Sequence, residues 1–244
     1  PCPMRPLTAQ ELLQVWEQGC DQPPTQQALT LLAAAVPEAS RDELAALPIG
    51  QRDGQLLTQR ERNFGSQNES VAQSPKCGDS QELNFHIDDI RVDLALAPQT
   101  TGQLEQAGYQ VRYRLPNSED LAAVSTDDEA TAQALLLSRC LLEVAPPEGQ
   151  AAELPSDVAT AVMAAMAAQD PQADVELDLT CPTCEHQWLS GFDIVTFFWH
   201  ELTVWARRLL WEVHRLAQAY GWSESEIIAL SPRRRQFYLE MVDL

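Results

Sequence analysis

No apolar run in the 244 residues approaches ~18 positions without a charge, which excludes a transmembrane helix. The opening Pro1-Cys2-Pro3-Met4-Arg5 lacks the apolar core of a secretory signal. Six cysteines are too few for a disulfide framework in a chain this long, so a reducing cytoplasm is the expected setting. Basic residues are scarce: 16 Lys and Arg stand against 36 Asp and Glu, a net charge of −20. The deficit is deepest over 116–193, where fifteen acids face one base, Arg139. Nucleic acid needs a cationic surface and is therefore not the expected partner. The acidic surface reads first as a solvated face, and more sharply as a dock for a basic partner.

Reacting groups are wanting as well. His200-Glu201 has no second histidine four residues on, as a metalloprotease helix requires. His200 and His214 share a helix face but stand about 21 Å apart at 1.5 Å per residue. No nucleophile–base pair, glycine-rich phosphate loop or carboxylate pair is legible, so the chain is not expected to be an enzyme.

What is present is a pair of cysteine knuckles. Cys181-Pro182-Thr183-Cys184 has a broken twin upstream in Ser74-Pro75-Lys76-Cys77. Two C-P-x-C turns on separate hairpins would supply the four ligands of a tetrahedral zinc ion, and Ser74 removes one of the thiols. Cys77, Cys181 and Cys184 are thus the candidate metal ligands, with zinc as the candidate cofactor. The fourth donor is open among His186, His86 and the Ser74 hydroxyl, and a relic site with inert thiols is the plainer reading. A thioredoxin-type reading of the CPTC turn wants its first cysteine at a helix N-terminus. The alternating residues after Cys184, with Phe85 and Trp188 as the aromatics following the two knuckles, read instead as strand.

Around the knuckles the pattern is mostly helical. Thr8-Ala9-Gln10-Glu11 opens a first helix, Pro23-Pro24-Thr25 a second and Ser40-Arg41-Asp42-Glu43 a short third; a polar helix follows over 50–64. Residues 66–74 read as a loop. Strands are expected at 82–87, around Val92-Leu94-Leu96, and at 110–115, 174–180 and 186–189, with helices at 118–124, 127–144 and from Ser156 or Asp157 to Pro171. A long helix from Ile194 to about Ala219 carries Ile194, Phe198, Leu202, Trp205, Leu209, Val213, Leu216 and Tyr220 on one stripe. Ser223 and Ser231-Pro232 begin two more. The fold class is α+β, mostly helical with a small two-hairpin, zinc-ribbon-like β unit. It divides into an N-terminal helical lobe (1–65), the β unit (66–116 and 172–192), a helical insertion with linker (117–171) and a C-terminal helical lobe (193–244). Trp199 and Trp211 fall off the long stripe. With Arg233, Arg234 and Arg235 they are candidate partner-binding residues; core packing and intrachain ion pairs are the plainer readings.

Several stretches together resemble the T-even phage-like family of baseplate hub assembly chaperones, including relatives encoded beside contractile injection systems. They are Leu47-Pro48-Ile49-Gly50-Gln51-Arg52-Asp53-Gly54, the two knuckles with the Glu82-Leu83-Asn84-Phe85 strand, Phe192-Asp193-Ile194-Val195 through Trp205-Ala206-Arg207-Arg208, and Tyr220-Gly221-Trp222 with Ala229-Leu230-Ser231-Pro232-Arg233-Arg234. The resemblance implies a non-enzymatic, structural or assembly-chaperone component of a phage-tail-like contractile injection baseplate, with other baseplate or hub proteins as partners. Ser74 departs from the two-CxxC pattern of the injection-system relatives, so the metal site does not follow from the resemblance. The alternative is a free-standing zinc-ribbon module for nucleic acid or a transcription complex, which would need a basic face that the knuckles lack. A thiol redox enzyme would need an activated thiolate.

Overall fold

Thr8 accepts the Glu11 N–H while Glu11 accepts the Thr8 N–H, and this reciprocal cap starts α1 (Ala9–Gly19). The computed structural model describes residues 4–92, 99–124, 128–149 and 153–242; Leu94, Leu96, Thr126 and Asp127 lie outside them. Helix α2 (Pro24–Ala35) begins with a proline whose missing N–H would have had no partner there. A second capping box, Ser40 with Glu43, starts α3 (Arg41–Ala45), and α4 runs over Ile49–Phe64.

The next segment corrects the sequence reading. Gln67–Gln73, expected as loop, is strand β1, paired antiparallel with β2 (Ser80–His86). Only Asn68 of β1 is buried, so its polar sequence carries little apolar alternation; the ladder to β2 satisfies its backbone. One helical turn, α5 (Ile87–Ile90), follows. Strands β3 (Thr101–Gln106) and β4 (Tyr109–Arg114) form a hairpin through Ala107 and Gly108. Both turn residues have positive φ, 51° and 81°, the mirror-image turn that matches strand twist. Helix α6 spans Ser118–Ala123 and α7 Glu129–Cys140. The helix expected to reach residue 144 stops at Cys140, because Leu141–Ala145 (β5) pairs with the free edge of β4. A tertiary ladder here outweighs helix propensity. Helix α8 (Ser156–Gln169) starts behind Pro155 without a side-chain cap, so neither Ser156 nor Asp157 is its cap residue. A 3-10 turn (Pro171–Ala173) leads into β6 (Val175–Thr180) and β7 (Gln187–Phe192). Helix α9 (Ile194–Tyr220) ends at Gly221, whose left-handed conformation (φ 69°) returns an N–H to the Ala217 carbonyl. Helices α10 (Glu224–Ile228) and α11 (Pro232–Val242) complete the chain.

The fold is thus α+β, with small antiparallel sheets of order β1-β2, β3-β4-β5 and β6-β7 among helices. Strands β3 and β4, grouped by sequence with the knuckles, pair instead with β5 from the segment read as a helical insertion. Among the described residues, three apolar clusters hold these parts. The first joins α1, α2 and α4 to the first half of α9 through Leu31, Leu32, Leu56, Leu57, Phe198 and Leu202. A second packs Tyr109, Val111 and Tyr113 of β4 on Val158, Val162 and Met166 of α8. In the third, the rest of α9 (Leu209, Val213, Leu216) meets Leu13 of α1, Ile227 and Leu239. Helix α9 is therefore the spine common to the N- and C-terminal helices.

The sheet β3-β4-β5 is tied to this helical body by polar contacts at the start of α4. Pro48 bridges Asn117, the Ile49 N–H reaches the Pro116 carbonyl at 3.1 Å, and Gly50 donates to Asp170 Oδ2 at 2.8 Å. Asp170 thereby caps α4 from 120 residues away, a service Pro48 cannot perform for its own helix.

Candidate functional site

Each knuckle is a tight turn between two strands, and the two turns share one backbone hydrogen-bond pattern. In one, Gly78 N–H donates to the Ser74 carbonyl and Ser74 N–H to the Asp79 carbonyl, both at 2.9 Å. In the other, Glu185 donates to Cys181 and Cys181 to His186, again at 2.9 Å. The residue after the second ligand has positive φ in both, 74° at Gly78 and 55° at Glu185. A constant offset of 107 residues relates Ser74 to Cys181, Cys77 to Cys184, Phe85 to Phe192 and Ile87 to Ile194. The chain therefore carries one strand–knuckle–strand–helix unit twice. The equivalent of Phe85 in the second unit is thus Phe192, not Trp188, and the two rings meet edge to face with centroids 5.6 Å apart.

The two turns face each other. The sulfurs of Cys77, Cys181 and Cys184 all lie within 4.8 Å of one another, with Cys77 and Cys181 3.6 Å apart. Ser74 Oγ, almost fully buried, stands 3.6 Å from Cys184 Sγ and takes the corner that a fourth thiol would fill. A tetrahedral ion with ~2.3 Å thiolate bonds requires ligand–ligand edges of about 3.8 Å, so the three thiols are spaced to hold a metal ion. Among the described residues no His, Asp or Glu joins the group. His186 stacks on Trp188 with ring centroids 6.1 Å apart, and His86 starts α5, its N–H donating to Asp89. Thr183 Oγ1 donates to Asp79 Oδ2 at 2.5 Å, a further link from one knuckle to the other.

The thiols are polarised unequally. Burial pushes Cys181 up, but the N–H groups of Cys184 and Thr183, with Ser74 and Cys77, outweigh it and bring the thiol down to about 7. For Cys184 the His186 N–H and Ser74 favour the thiolate, yet burial and the two neighbouring sulfurs leave it raised. Cys181 has no solvent-accessible surface and sits in a strand turn. Its lowered pKa suits a ligand rather than an attacking thiolate, which must be reached.

The aromatic and arginine candidates separate. Trp199 is half-buried, its ring so close to Gly19 that an added Cβ there would lie 2.2 Å from it. Arg235 is buried and donates to Glu212 at 2.9 Å and to the Leu230 carbonyl at 2.7 Å. Trp211 is 52% exposed with Arg215 over its ring, and Arg233 and Arg234 are exposed.

Two polar assemblies were not anticipated. Arg60, buried inside α4, donates to both oxygens of Glu201 on α9 (2.8 and 2.6 Å) and to the Gly65 carbonyl, with the Phe197 ring 5.5 Å away. Burial pushes Asp53 up to about 6 despite the adjacent Arg52, with Asp193 and Asp170 adding to the rise. Both lie on a helix whose polar composition gave no sign of burial; the only signal was an Arg and an Asp sharing a face with Leu56 and Leu57.

A family model described as T4 bacteriophage base plate protein matches residues 4–199. No curated protein and no solved structure matches the chain. The match takes in α1 through β7, both knuckles and the first turns of α9. The C-terminal stretches that shared in the resemblance, from Trp205 to Arg234, lie beyond it.

Proposed function

The chain belongs to the T4 bacteriophage base plate protein family, and from that membership we propose that it acts in assembling the baseplate of a phage-tail-like contractile injection particle, without catalysis of its own. The match across residues 4–199 carries this reading. It agrees with a chain three of whose cysteines converge on one spot and whose helices expose aromatic and arginine side chains. Its partners are other baseplate or hub proteins, met in the cytoplasm where the particle is built. Trp211, Arg233 and Arg234 are the contact residues of the C-terminal lobe; Arg235 holds α11 beneath them through Glu212, while Trp199 belongs to the packing against Gly19 of α1. Affinity purification of the tagged chain from cells producing the particle tests this. Recovery of baseplate or hub proteins is expected, and recovery of none of them counts against the role.

The clasp holds zinc in this reading, through Cys77, Cys181 and Cys184 with the Ser74 hydroxyl at the fourth corner. Three thiolates favour zinc over the harder divalent cations, and zinc supplies no redox chemistry, only a cross-link between segments a hundred residues apart. Such an ion would fix the two hairpins as one unit. Metal analysis of protein purified without chelator, with Cys184→Ser as control, distinguishes a loaded site from a relic.

A further inference from the structure

We propose that the groove between α9 and α11 docks a carboxylate-rich segment of a partner protein; this rests on the reading of the C-terminal lobe as a partner surface. The chain carries −20 overall, yet this surface is cationic. Both acids of α9 are consumed: Glu201 by buried Arg60, and Glu212 by Arg208 and Arg235 together. Two guanidiniums on one carboxylate leave a net positive charge, carried outward by Arg208, whose side chain is 72% exposed. Arg233 and Arg234 add two more, and among the described residues no carboxylate pairs with either.

Between these cations lies a groove of about 320 Å³ with Trp205 and Leu209 in its wall and Arg208 and Arg233 at its rim. Along α11 a neighbouring hollow holds Arg234 and Phe237, the latter 62% exposed, with Glu240 as its one acid, and Trp211 stands one turn beyond Arg208. A guanidinium fork takes a carboxylate through two parallel hydrogen bonds, and exposed aromatics beside it accept apolar side chains of the same segment. A slot between two helices admits a single peptide segment. A nucleic-acid duplex would extend past it onto a chain that is acidic elsewhere. The groove also lies outside residues 4–199, so it is a surface the family match does not account for.

Fluorescence anisotropy with a labelled glutamate- and leucine-containing peptide, its lysine counterpart and a short DNA duplex tests the assignment on the full chain. The glutamate peptide should bind more tightly than either control and weaken with salt. The exposed pair Arg233→Glu and Arg234→Glu should weaken it by about ten-fold or more at unchanged melting temperature, and Trp211→Ala should weaken it separately. Equal binding by the variant, DNA bound as tightly as the peptide, or self-association of the wild type that the variant abolishes would each overturn the proposal. None of these outcomes bears on recovery of baseplate proteins with the chain, so the two readings fail independently.

Discussion

Arg60→Met removes the charge that fixes α4 to α9 while keeping most of the apolar stem. The position matters for the site, because α4 leads into β1 and β7 leads into α9, so this lock sets the roots of both knuckle hairpins. The arginine is 2% exposed and makes two bonds to Glu201 and one to Gly65. Breaking a buried pair by removing one partner costs about 3–5 kcal/mol, chiefly through the stranded charge. Glu201 retains a quarter of its side-chain surface and can rehydrate, which points to the lower end, about 3 kcal/mol. In a domain of this size that is a fall in Tm of roughly 6–12 °C. Urea and thermal unfolding of Arg60→Met, Glu201→Leu and the double variant would measure it. The double variant should recover part of the loss, since an apolar pair strands no charge. A single-variant loss below about 1 kcal/mol, or a double variant no better than the sum, would refute the reasoning.

Ser74→Cys should give a site with four thiols that retains zinc at a chelator concentration stripping the wild type, followed by metal analysis after dialysis. Cys184→Ser should lose the metal while the helical circular dichroism stays. Gly19→Ala places a methyl 2.2 Å from the Trp199 ring and should destabilise by about 1–3 kcal/mol in denaturant titration. Asp53, raised to about 6 in the folded chain against an ordinary 3.8, binds its proton more tightly folded than unfolded. It therefore adds about 1 kcal/mol of stability as pH falls from 7 to 5. Glu11, drawn down to about 2 by Arg5 from an ordinary 4.5, works the opposite way, its contribution being lost progressively between about pH 5 and pH 2. Glu43, Asp120, Asp128 and Glu226 are lowered too and lose their contributions over the same acid range. Any gain from Asp53 therefore shows between about pH 7 and 5, and stability falls again at lower pH. Abolition of that gain in Asp53→Asn is expected, and an unchanged profile would contradict the assignment.

Much of the helical framework was legible because its signals are local. Thr8 with Glu11, Ser40 with Glu43 and Ser223 with Glu226 announce their helices within four residues, and Gly221 ends α9 where the stripe runs out. The strands without local apolar signals were not. Gln67–Gln73 is held by its partner strand, and Leu141–Ala145 leaves the helix only because β4 offers an edge. For the site, the knuckle pattern identified the three thiols, and the structure adds that Ser74 takes the vacant corner. The roles of Arg60 and Asp170 were invisible, since each acts on a residue more than a hundred positions away. Which arginine of the 233–235 run turns inward also depends on Glu212, a carboxylate on another helix.

The most direct measurement is electron microscopy of particles from a producing strain whose gene for this chain has been deleted. An assembly role in the baseplate predicts sheath and tube polymers without a formed baseplate, restored by the wild-type gene supplied in trans. Normal particles with complete baseplates in the deletion strain would contradict it.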